Sequence, residues 1–275
     1  MVGGILTNDP QRPSGPSSYH VDVTRSGRLP LLLAAGLLLS ACASDGVPVR
    51  RSGPSADVNL QASPKPPRDT DPGLERYERL VANAVSARIP AFRHPRAEEP
   101  FHVFRNPDDY RARPVFLVDR MRDDWLEVYL PVRPNGTTGW IRGRDVKLRT
   151  NPYRIEIDLG RNLLQVLETG EVMMRETVAA GTGGTPTPTG LFYTTILVEY
   201  PEPSGAYGPY AFGLSAFSEV LFSFGGGSGQ VAIHGTNAPW ALGQDVSHGC
   251  VRMRNPAIRR LASFLPLGTP VRITP

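Results

Sequence analysis

The chain has 275 residues, and its 30 Lys and Arg residues against 26 Asp and Glu residues give a formal net charge of +4. It has no block of like charges and no basic stripe with interleaved aromatic residues, which argues against nucleic acid as a partner. Gly and Pro number 28 each, and this enrichment favours turns and short strands over long helices.

An apolar run, LLLAAGLLL, spans residues 31–39 and follows Arg25 and Arg28. It is far shorter than the roughly 20 residues of a membrane-spanning helix, and a basic flank with a short apolar core is typical of an export signal. The run ends in LSAC at residues 39–42, which resembles the bacterial lipobox. That resemblance implies a diacylglycerol on the sulfur of Cys42 and cleavage before it. The alternative is an ordinary secretory signal with an incidental cysteine.

Residues 1–42 are therefore predicted to be an export or lipoprotein signal. Residues 43–73 are rich in Pro, Ser, Asp and Arg and are predicted to be a flexible tether. We expect the mature protein to be exported and lipid-anchored to the outer face of the cytoplasmic membrane, on the cell-wall side. Apolar residues at near-helical spacing predict a short helix over residues 74–87.

Short runs of β-forming residues come next, at 115–119, 125–130 and 139–148. Apolar residues alternate along the second run as in a half-buried strand, and Asn135-Gly136 suits a tight turn. The sequence WLEVYLPVRPNGTTGWI resembles a bacterial SH3-type module, so residues 74–150 are predicted to form a short helix plus a small SH3-like β-barrel. The resemblance implies a wall-binding or positioning role; a purely structural β domain without a ligand is the alternative.

Residues 151–275 are predicted to be a further mainly β domain with one short helix, at residues 258–265. The segment 200–218 is interpreted as an aromatic-rich loop that borders a substrate cleft, with Tyr207 and Tyr210 as candidate contacts. The β-type runs of this part are residues 154–159, 163–168, 172–181, 231–233 and 271–274.

The candidate chemistry lies in two short motifs, HGT at residues 234–236 and SHGCVR at residues 247–252. A thiol attacks an acyl carbon as the thiolate, so it needs a neighbouring base or cation. Cys250 is the candidate nucleophile, and His234 and His248 are candidate bases. Gly249 allows a carbonyl to approach closely and lets backbone N–H groups near Cys250 converge on an oxyanion.

These motifs, together with TPTPTG at residues 185–190, resemble the L,D-transpeptidase (YkuD-type) catalytic domain from about residue 153 to residue 275. The resemblance implies a mainly β sandwich or sheet domain with a short helix. It also implies that Cys250 attacks the carbonyl between an L- and a D-residue of a peptidoglycan stem tetrapeptide. D-Ala then leaves, and the acyl group passes to a side-chain amine of a neighbouring stem. No cofactor is required for this chemistry.

By the family pattern His234 is the base, and Arg252 either handles a substrate carboxylate or braces its loop. Twelve residues separate His234 from Ser247, slightly fewer than is usual in the family. The predicted site therefore comprises Cys250 and His234 as catalytic residues, Ser247, His248 and Gly249 as site-shaping or oxyanion groups, and Arg252 and Tyr210 as substrate-binding residues.

Three other interpretations remain open. His234, His248 and Cys250 are three potential zinc ligands, although the i, i+2 spacing of the last two is unusual for a closed zinc site; we expect no metal. Water in place of the amine would make the enzyme an L,D-carboxypeptidase. A wall-binding protein with an inert catalytic domain is the third. The expected partners are peptidoglycan stem peptides and the membrane through a lipid anchor, and the sequence predicts no oligomeric state.

Overall fold

The computed structural model describes residues 80–223 and 227–275. The predicted signal (residues 1–42, with Cys42) and the predicted tether (residues 43–73) lie outside the described residues. Within the described residues, no helix combines the length and the apolar character that crossing a membrane requires.

The described residues are mainly β, with one α-helix, α1 (Asn255–Phe264), and 3-10 turns at Gly143–Asp145 and Pro239–Ala241. This confirms the predicted fold class. The first strands are β1 (Leu80–Ala84), β2 (Arg88–Ala91), β3 (His102–Arg105), β4 (Val115–Arg122), β5 (Trp125–Tyr129), β6 (Thr138–Arg142) and β7 (Val146–Thr150). The later strands are β8 (Tyr153–Asp158), β9 (Leu163–Glu168), β10 (Glu171–Thr177), β11 (Ala180–Gly181), β12 (Gly190–Glu199), β13 (Tyr210–Phe217), β14 (Gln230–His234), β15 (Asp245–Ser247), β16 (Val251–Arg252) and β17 (Pro270–Thr274).

The first seven strands form a five-stranded antiparallel sheet of order β6-β5-β4-β1-β7 and a two-stranded β2-β3 ribbon. The helix predicted over residues 74–87 is wrong for its described part, because Leu80–Ala84 is strand β1. This strand is bonded on one side to β4 and on the other to β7. Val81, Ala82 and Ala84 are fully buried. A strand buried on both faces has a nearly continuous apolar sequence, which near-helical spacing fits equally well.

The later strands form an eight-stranded sheet of order β10-β9-β8-β17-β12-β13-β14-β16 and a two-stranded parallel β11-β15 pair. The predicted hairpin of β8 and β9 is present, and its buried residues alternate: Ile155 and Ile157 on one strand, Leu164 and Val166 on the other. Helix α1 packs Ile258 and Leu261 into the same core. Each such side chain stabilises the fold by about 1.5–3 kcal/mol through burial.

The segment 200–218 is a loop only in its first half, because Tyr210–Phe217 is strand β13, between β12 and β14. Residues 211–216 are buried. Their sequence, AFGLSA, mixes glycine and small residues with aromatic ones, a composition that also suits loops. Gly213 allows close packing here, since a Cβ at that position would lie 2.7 Å from Ile196 Cγ2.

The two large sheets share a small buried cluster. Val81, Val115 and Leu117 of the first sheet pack with Tyr193 of β12. The fully buried Tyr193 donates its hydroxyl hydrogen to the carbonyl of Tyr129 at 3.0 Å. Buried apolar contact of this kind therefore fixes the first sheet against the sheet that carries the candidate site.

Candidate active site

The two candidate catalytic residues stand on neighbouring parallel strands. His234 is the last residue of β14, and Cys250 directly precedes β16. The register pairs Ile233 with Val251 and His234 with Arg252. Since successive side chains of a strand point to opposite faces, Cys250, Arg252 and His234 share one face of the sheet. Ile233 and Val251 occupy the opposite, fully buried face.

The thiol of Cys250 is free and half-buried. Burial raises its pKa above the ordinary value, while a hydrogen bond with the backbone of Ala232 and the charge of Arg252 act in the opposite direction. Ala232 lies on β14, two residues before His234. The resting sulfur is therefore a protonated thiol at neutral pH, and it needs a base when it attacks.

The imidazole of His234 is 3% exposed, and burial lowers its pKa to about 4. The positive charge of Arg252 lowers it further, whereas hydrogen bonds with the backbone of Gly235 and Tyr207 raise it. Its Nδ1 lies 2.6 Å from the carbonyl oxygen of Gly235. A carbonyl only accepts, so Nδ1 carries the hydrogen and Nε2 carries the lone pair. His234 is therefore a neutral imidazole with one basic nitrogen, as a general base requires.

Ser247 holds the turn that presents Cys250. It is 1% exposed, its hydroxyl donates to the carbonyl of Cys250, and it accepts the N–H of Gly249 at 3.1 Å. Gly249 has φ +110°, a conformation that other residues adopt only with strain. Because the Gly249 N–H is bonded to Ser247, it supports the turn in this conformation and does not face an oxyanion.

The threonine-rich segment before β12 fastens the same turn. Thr187 donates its hydroxyl to the carbonyl of Gly249 at 3.0 Å and accepts the N–H of Gly181 at 2.9 Å. Thr185 donates to the carbonyl of Ser247 at 3.1 Å. Sequence reasoning included this segment in the family resemblance but assigned these hydroxyls no role. Alternation of Thr with Pro was the available signal, because proline fixes the backbone while threonine provides a hydroxyl.

Asn255, at the start of α1, holds the segment after His234 and was missed by the sequence analysis. Its side-chain oxygen accepts the N–H of Thr236 at 2.8 Å, and its amide nitrogen donates to the carbonyl of Pro203 at 3.2 Å. A Cβ on Gly235 would lie 2.4 Å from that side-chain oxygen, and one on Gly208 would lie 2.3 Å from it. Glycine is thus required at both places for the two segments to meet at Asn255.

Tyr207 contacts His234, whereas the predicted substrate residue Tyr210 makes a different contact. The rings of Tyr207 and His234 lie 4.9 Å apart, and Tyr207 stacks on Tyr200 at 5.2 Å. Burial raises the pKa of Tyr200 to about 12 and raises that of Tyr207. Tyr210 instead donates its hydroxyl to Glu199 at 3.0 Å. Beside the stacked rings lies an open cavity of about 260 Å³, lined by Tyr200, Pro201, Glu202, Gly205, Ala206, Tyr207 and Gly208.

The other predicted residues lie at the edge of this arrangement. His248 is exposed, next to the buried Ser247 and Gly249. Arg252 exchanges backbone hydrogen bonds of 2.9 Å with Ala179, and its Nε is buried without a hydrogen-bond partner in the described part of the chain. The described residues contain no group of three or more His, Cys, Asp or Glu side chains placed to hold a metal ion.

The family model described as the L,D-transpeptidase catalytic domain matches residues 152–273. The YkuD protein of Bacillus licheniformis, named as an L,D-transpeptidase, is 37% identical over 126 residues, which cover 46% of this chain and 68% of that protein. The YqjB protein of Bacillus subtilis, also named as an L,D-transpeptidase, is 32% identical over 135 residues, covering 45% of this chain and 72% of that protein.

Solved structures also match the chain. Bd1075 of Bdellovibrio bacteriovorus is 29% identical with a TM-score of 0.36, covering 45% of this chain and 48% of that one. An L,D-transpeptidase of Enterococcus faecium is 22% identical with a TM-score of 0.33, covering 45% of this chain and 50% of that one. The chain thus spans about half the length of these two structures.

Proposed function

Because the chain belongs to the L,D-transpeptidase (YkuD) family, we propose that it is a peptidoglycan L,D-transpeptidase with Cys250 as nucleophile and His234 as base. The strand register carries the proposal: it aligns the thiol and the basic imidazole on one face of the β14–β16 pair, next to the charge of Arg252. A free thiol and a neutral imidazole supply the nucleophile and the base that acyl transfer requires.

In the first half of the reaction, Nε2 of His234 takes the proton of the Cys250 thiol as the sulfur attacks the carbonyl between the L- and the D-residue of a donor stem tetrapeptide. A carbon–sulfur bond forms and the peptide carbon–nitrogen bond breaks. The leaving D-Ala amine takes the proton back from the imidazolium. The low pKa of His234 favours this return, because burial and the charge of Arg252 make the imidazolium give up its proton readily.

In the second half, the side-chain amine of a neighbouring stem attacks the thioester. His234 takes a proton from this amine as the new amide bond forms, and then returns it to the departing sulfur. Ser247, Thr185 and Thr187 keep the thioester-bearing turn in place, because all three hydroxyls are bonded to backbone carbonyls of residues 247–250. We propose that His248, Arg252 and the Tyr207 ring border the bound peptide, since Tyr207 contacts His234 and Arg252 lies on the same face of the sheet.

Intact-mass spectrometry of the chain without residues 1–42, incubated with a purified disaccharide tetrapeptide, tests the proposal. We expect a transient adduct, its loss in Cys250→Ala, and a cross-linked dimer product. Adduct formation with only shortened tripeptide would assign the L,D-carboxypeptidase activity instead. A folded protein with neither adduct nor product would contradict both and leave a wall-binding protein.

We propose further that the mature protein is a lipoprotein anchored through Cys42, on the grounds of the basic flank, the short apolar run and the LSAC sequence. Membrane-fraction mass spectrometry of the N-terminal peptide tests this, and a diacylglycerol-modified Cys42 is the expected result. An N-terminal peptide cleaved elsewhere and unmodified would indicate an ordinary secretory signal.

We also propose that the first sheet is an SH3-like module that contacts the wall. Its short antiparallel strands and tight turns support this proposal. The chain with Cys250→Ala should co-sediment with insoluble peptidoglycan, and substitutions on the exposed surface of residues 80–150 should weaken that binding. Binding that such substitutions leave unchanged would make the module purely structural.

A further inference from the structure

The connection between β5 and β6 reaches from the first sheet onto the segment that joins β13 to β14. The guanidinium of Arg133 donates to the carbonyl of Ser218, and to those of Leu221 and Ser228 at 3.0 Å each. Ser218 and Leu221 follow β13, whereas Ser228 precedes β14. The side chain of Arg133 therefore binds the backbone both just after β13 and just before β14.

Asn135 makes the second contact, with the last residue of β13. Its amide nitrogen donates to the carbonyl of Phe217 at 2.8 Å, and its side-chain oxygen accepts the Phe217 N–H at 2.9 Å. These two bonds match the pair that the backbone of Phe217 would exchange with a residue of a neighbouring antiparallel strand. Arg133 also lies over the Phe217 and Phe222 rings, at 4.9 Å from each centroid, where cation–π attraction adds to its hydrogen bonds.

The backbone just before β14 is tightly packed against Arg133 and Leu221. Gly229 has φ +73°, and a Cβ there would lie 2.1 Å from the carbonyl oxygen of Leu221 and 3.0 Å from a guanidinium nitrogen of Arg133. The carbonyl of Gly229 accepts the N–H of Ser218 at 2.8 Å. No residue with a side chain would fit here without moving the guanidinium or the backbone.

Strand β14 leads from this point to the reacting groups. Ala232, whose backbone bonds the Cys250 thiol, and His234, the proposed base, both lie on it. A strand rises about 3.3 Å per residue, so Gly229 and His234 are separated by roughly 16 Å of extended chain. Strand β14 therefore connects this point to the backbone of Ala232, which bonds the Cys250 thiol, and to His234.

We propose that Arg133 and Asn135 are positioning residues for His234: they set the placement of β14 against β16 and so the alignment of the base with the thiol. The proposal rests on the proposed function for its role in catalysis, but the alignment is measurable without the peptidoglycan substrate. The first sheet is then a structural part of the active site as well as an adjoining module.

The test uses the purified chain without residues 1–42, in which Cys250 is the one cysteine, carrying Arg133→Ala, Arg133→Lys or Asn135→Ala, with Arg149→Ala as matched control. Arg149 also reaches from the first sheet to a backbone carbonyl of the second part of the chain, that of Leu267, but this carbonyl precedes β17 and not β14. The Arg149→Ala variant therefore removes a similar contact at a place that does not lead to His234.

The first readout is the pH profile of Cys250 alkylation by iodoacetamide, with His234→Gln as reference. The titratable and charged groups beside His234 are Arg252 and Tyr207, with Cys250 on the same face of the β14–β16 pair. All variants other than the reference retain these groups and His234. We expect the Arg133→Ala profile to move from that of the unchanged chain toward that of His234→Gln, with Arg133→Lys in between. The alkylation profile of Arg149→Ala should match that of the unchanged chain.

The second readout is thioester formation with the donor tetrapeptide. A displacement of about 1 Å costs on the order of a hundredfold in rate, so we expect Arg133→Ala to lower kcat roughly ten- to a hundredfold with KM nearly unchanged. Asn135→Ala, which removes only two hydrogen bonds, should act in the same direction and is the deciding variant if Arg133→Ala does not fold.

A lowered Tm with an unchanged alkylation profile and an unchanged kcat would overturn the proposal and leave Arg133 with a structural role. If the unchanged chain fails to transfer stem peptides, the proposed function fails. The alkylation profiles still decide the positioning role in that case.

Discussion

The segments that carry Cys250 and His234 are held in different ways. Cys250 ends a tight turn whose backbone is bonded by three nearby hydroxyls, those of Ser247, Thr185 and Thr187. His234 ends a strand that lies between β13 and β16, and the start of that strand is bonded from another sheet. The nucleophile thus depends on a few side-chain hydroxyl bonds to one turn, whereas the base depends on the continuity of a sheet. Different substitutions should therefore disturb the nucleophile and the base.

The largest expected effect comes from removing the base itself. His234→Gln keeps the size and polarity of the side chain but cannot take the proton of the thiol, so thioester formation should slow by about 10²–10⁴-fold. Quenched-flow mass spectrometry of the Cys250 adduct measures this rate. A loss of less than about tenfold would show that the thiolate forms without His234, and circular dichroism should first confirm that the variant is folded.

The burial of His234 should make stability depend on pH. Its pKa is about 4 in the folded protein against 6.5 ordinarily, so the unfolded chain binds the proton first as pH falls. Stability is complete above about pH 6.5 and decreases toward pH 4, by about 3 kcal/mol in all. Urea unfolding at a series of pH values measures it. The same slope in His234→Gln would assign the effect to other groups.

On the side of the nucleophile, Thr187→Val should lose the bonds to Gly249 and Gly181 while keeping the shape of the side chain. Since Thr187 is buried, the groups left unpaired should cost about 1–3 kcal/mol of unfolding free energy. Thioester formation should slow by roughly ten- to a hundredfold. Thr187→Ser retains the hydroxyl and is the matched control; equal loss in both variants would indicate packing and not hydrogen bonding.

The smallest expected effect separates a part-buried hydrogen bond from an exposed ion pair at the start of α1. Arg254 forms an exposed ion pair with Glu176, at 2.8 Å. Arg254→Ala should change the unfolding free energy by at most about 1 kcal/mol and leave thioester formation unchanged. Asn255→Ala, one residue on, should slow it, because the N–H of Thr236 loses its partner. If both variants behaved alike, Asn255 would have no specific role in holding the segment after His234.

The sequence indicated the parts of the site that lie in short contiguous motifs. SHGC and HGT contain the proposed nucleophile and base, the β-type runs at residues 154–159 and 163–168 predicted β8 and β9, and the helix predicted at residues 258–265 overlaps α1. Strand β1 was mistaken for a helix, since a short apolar run has no decisive period. The roles of Asn255, Thr187 and Arg133 depend on contacts between residues 19 to 95 positions apart in the chain. No local pattern encodes such distances.

The parallel pairing of β14 with β16 also bears on how such enzymes diversify. Parallel neighbours require a connection that crosses over outside the sheet, here residues 235–250. Trp240, in the middle of it, is 77% exposed. Doubling the length of a flexible loop costs only about 0.6 kcal/mol, so residues 237–242, between the segments that hold His234 and Cys250, tolerate insertion while the strand register preserves the catalytic geometry. Evolution and protein engineering can therefore vary the surroundings of the cleft independently of its chemistry.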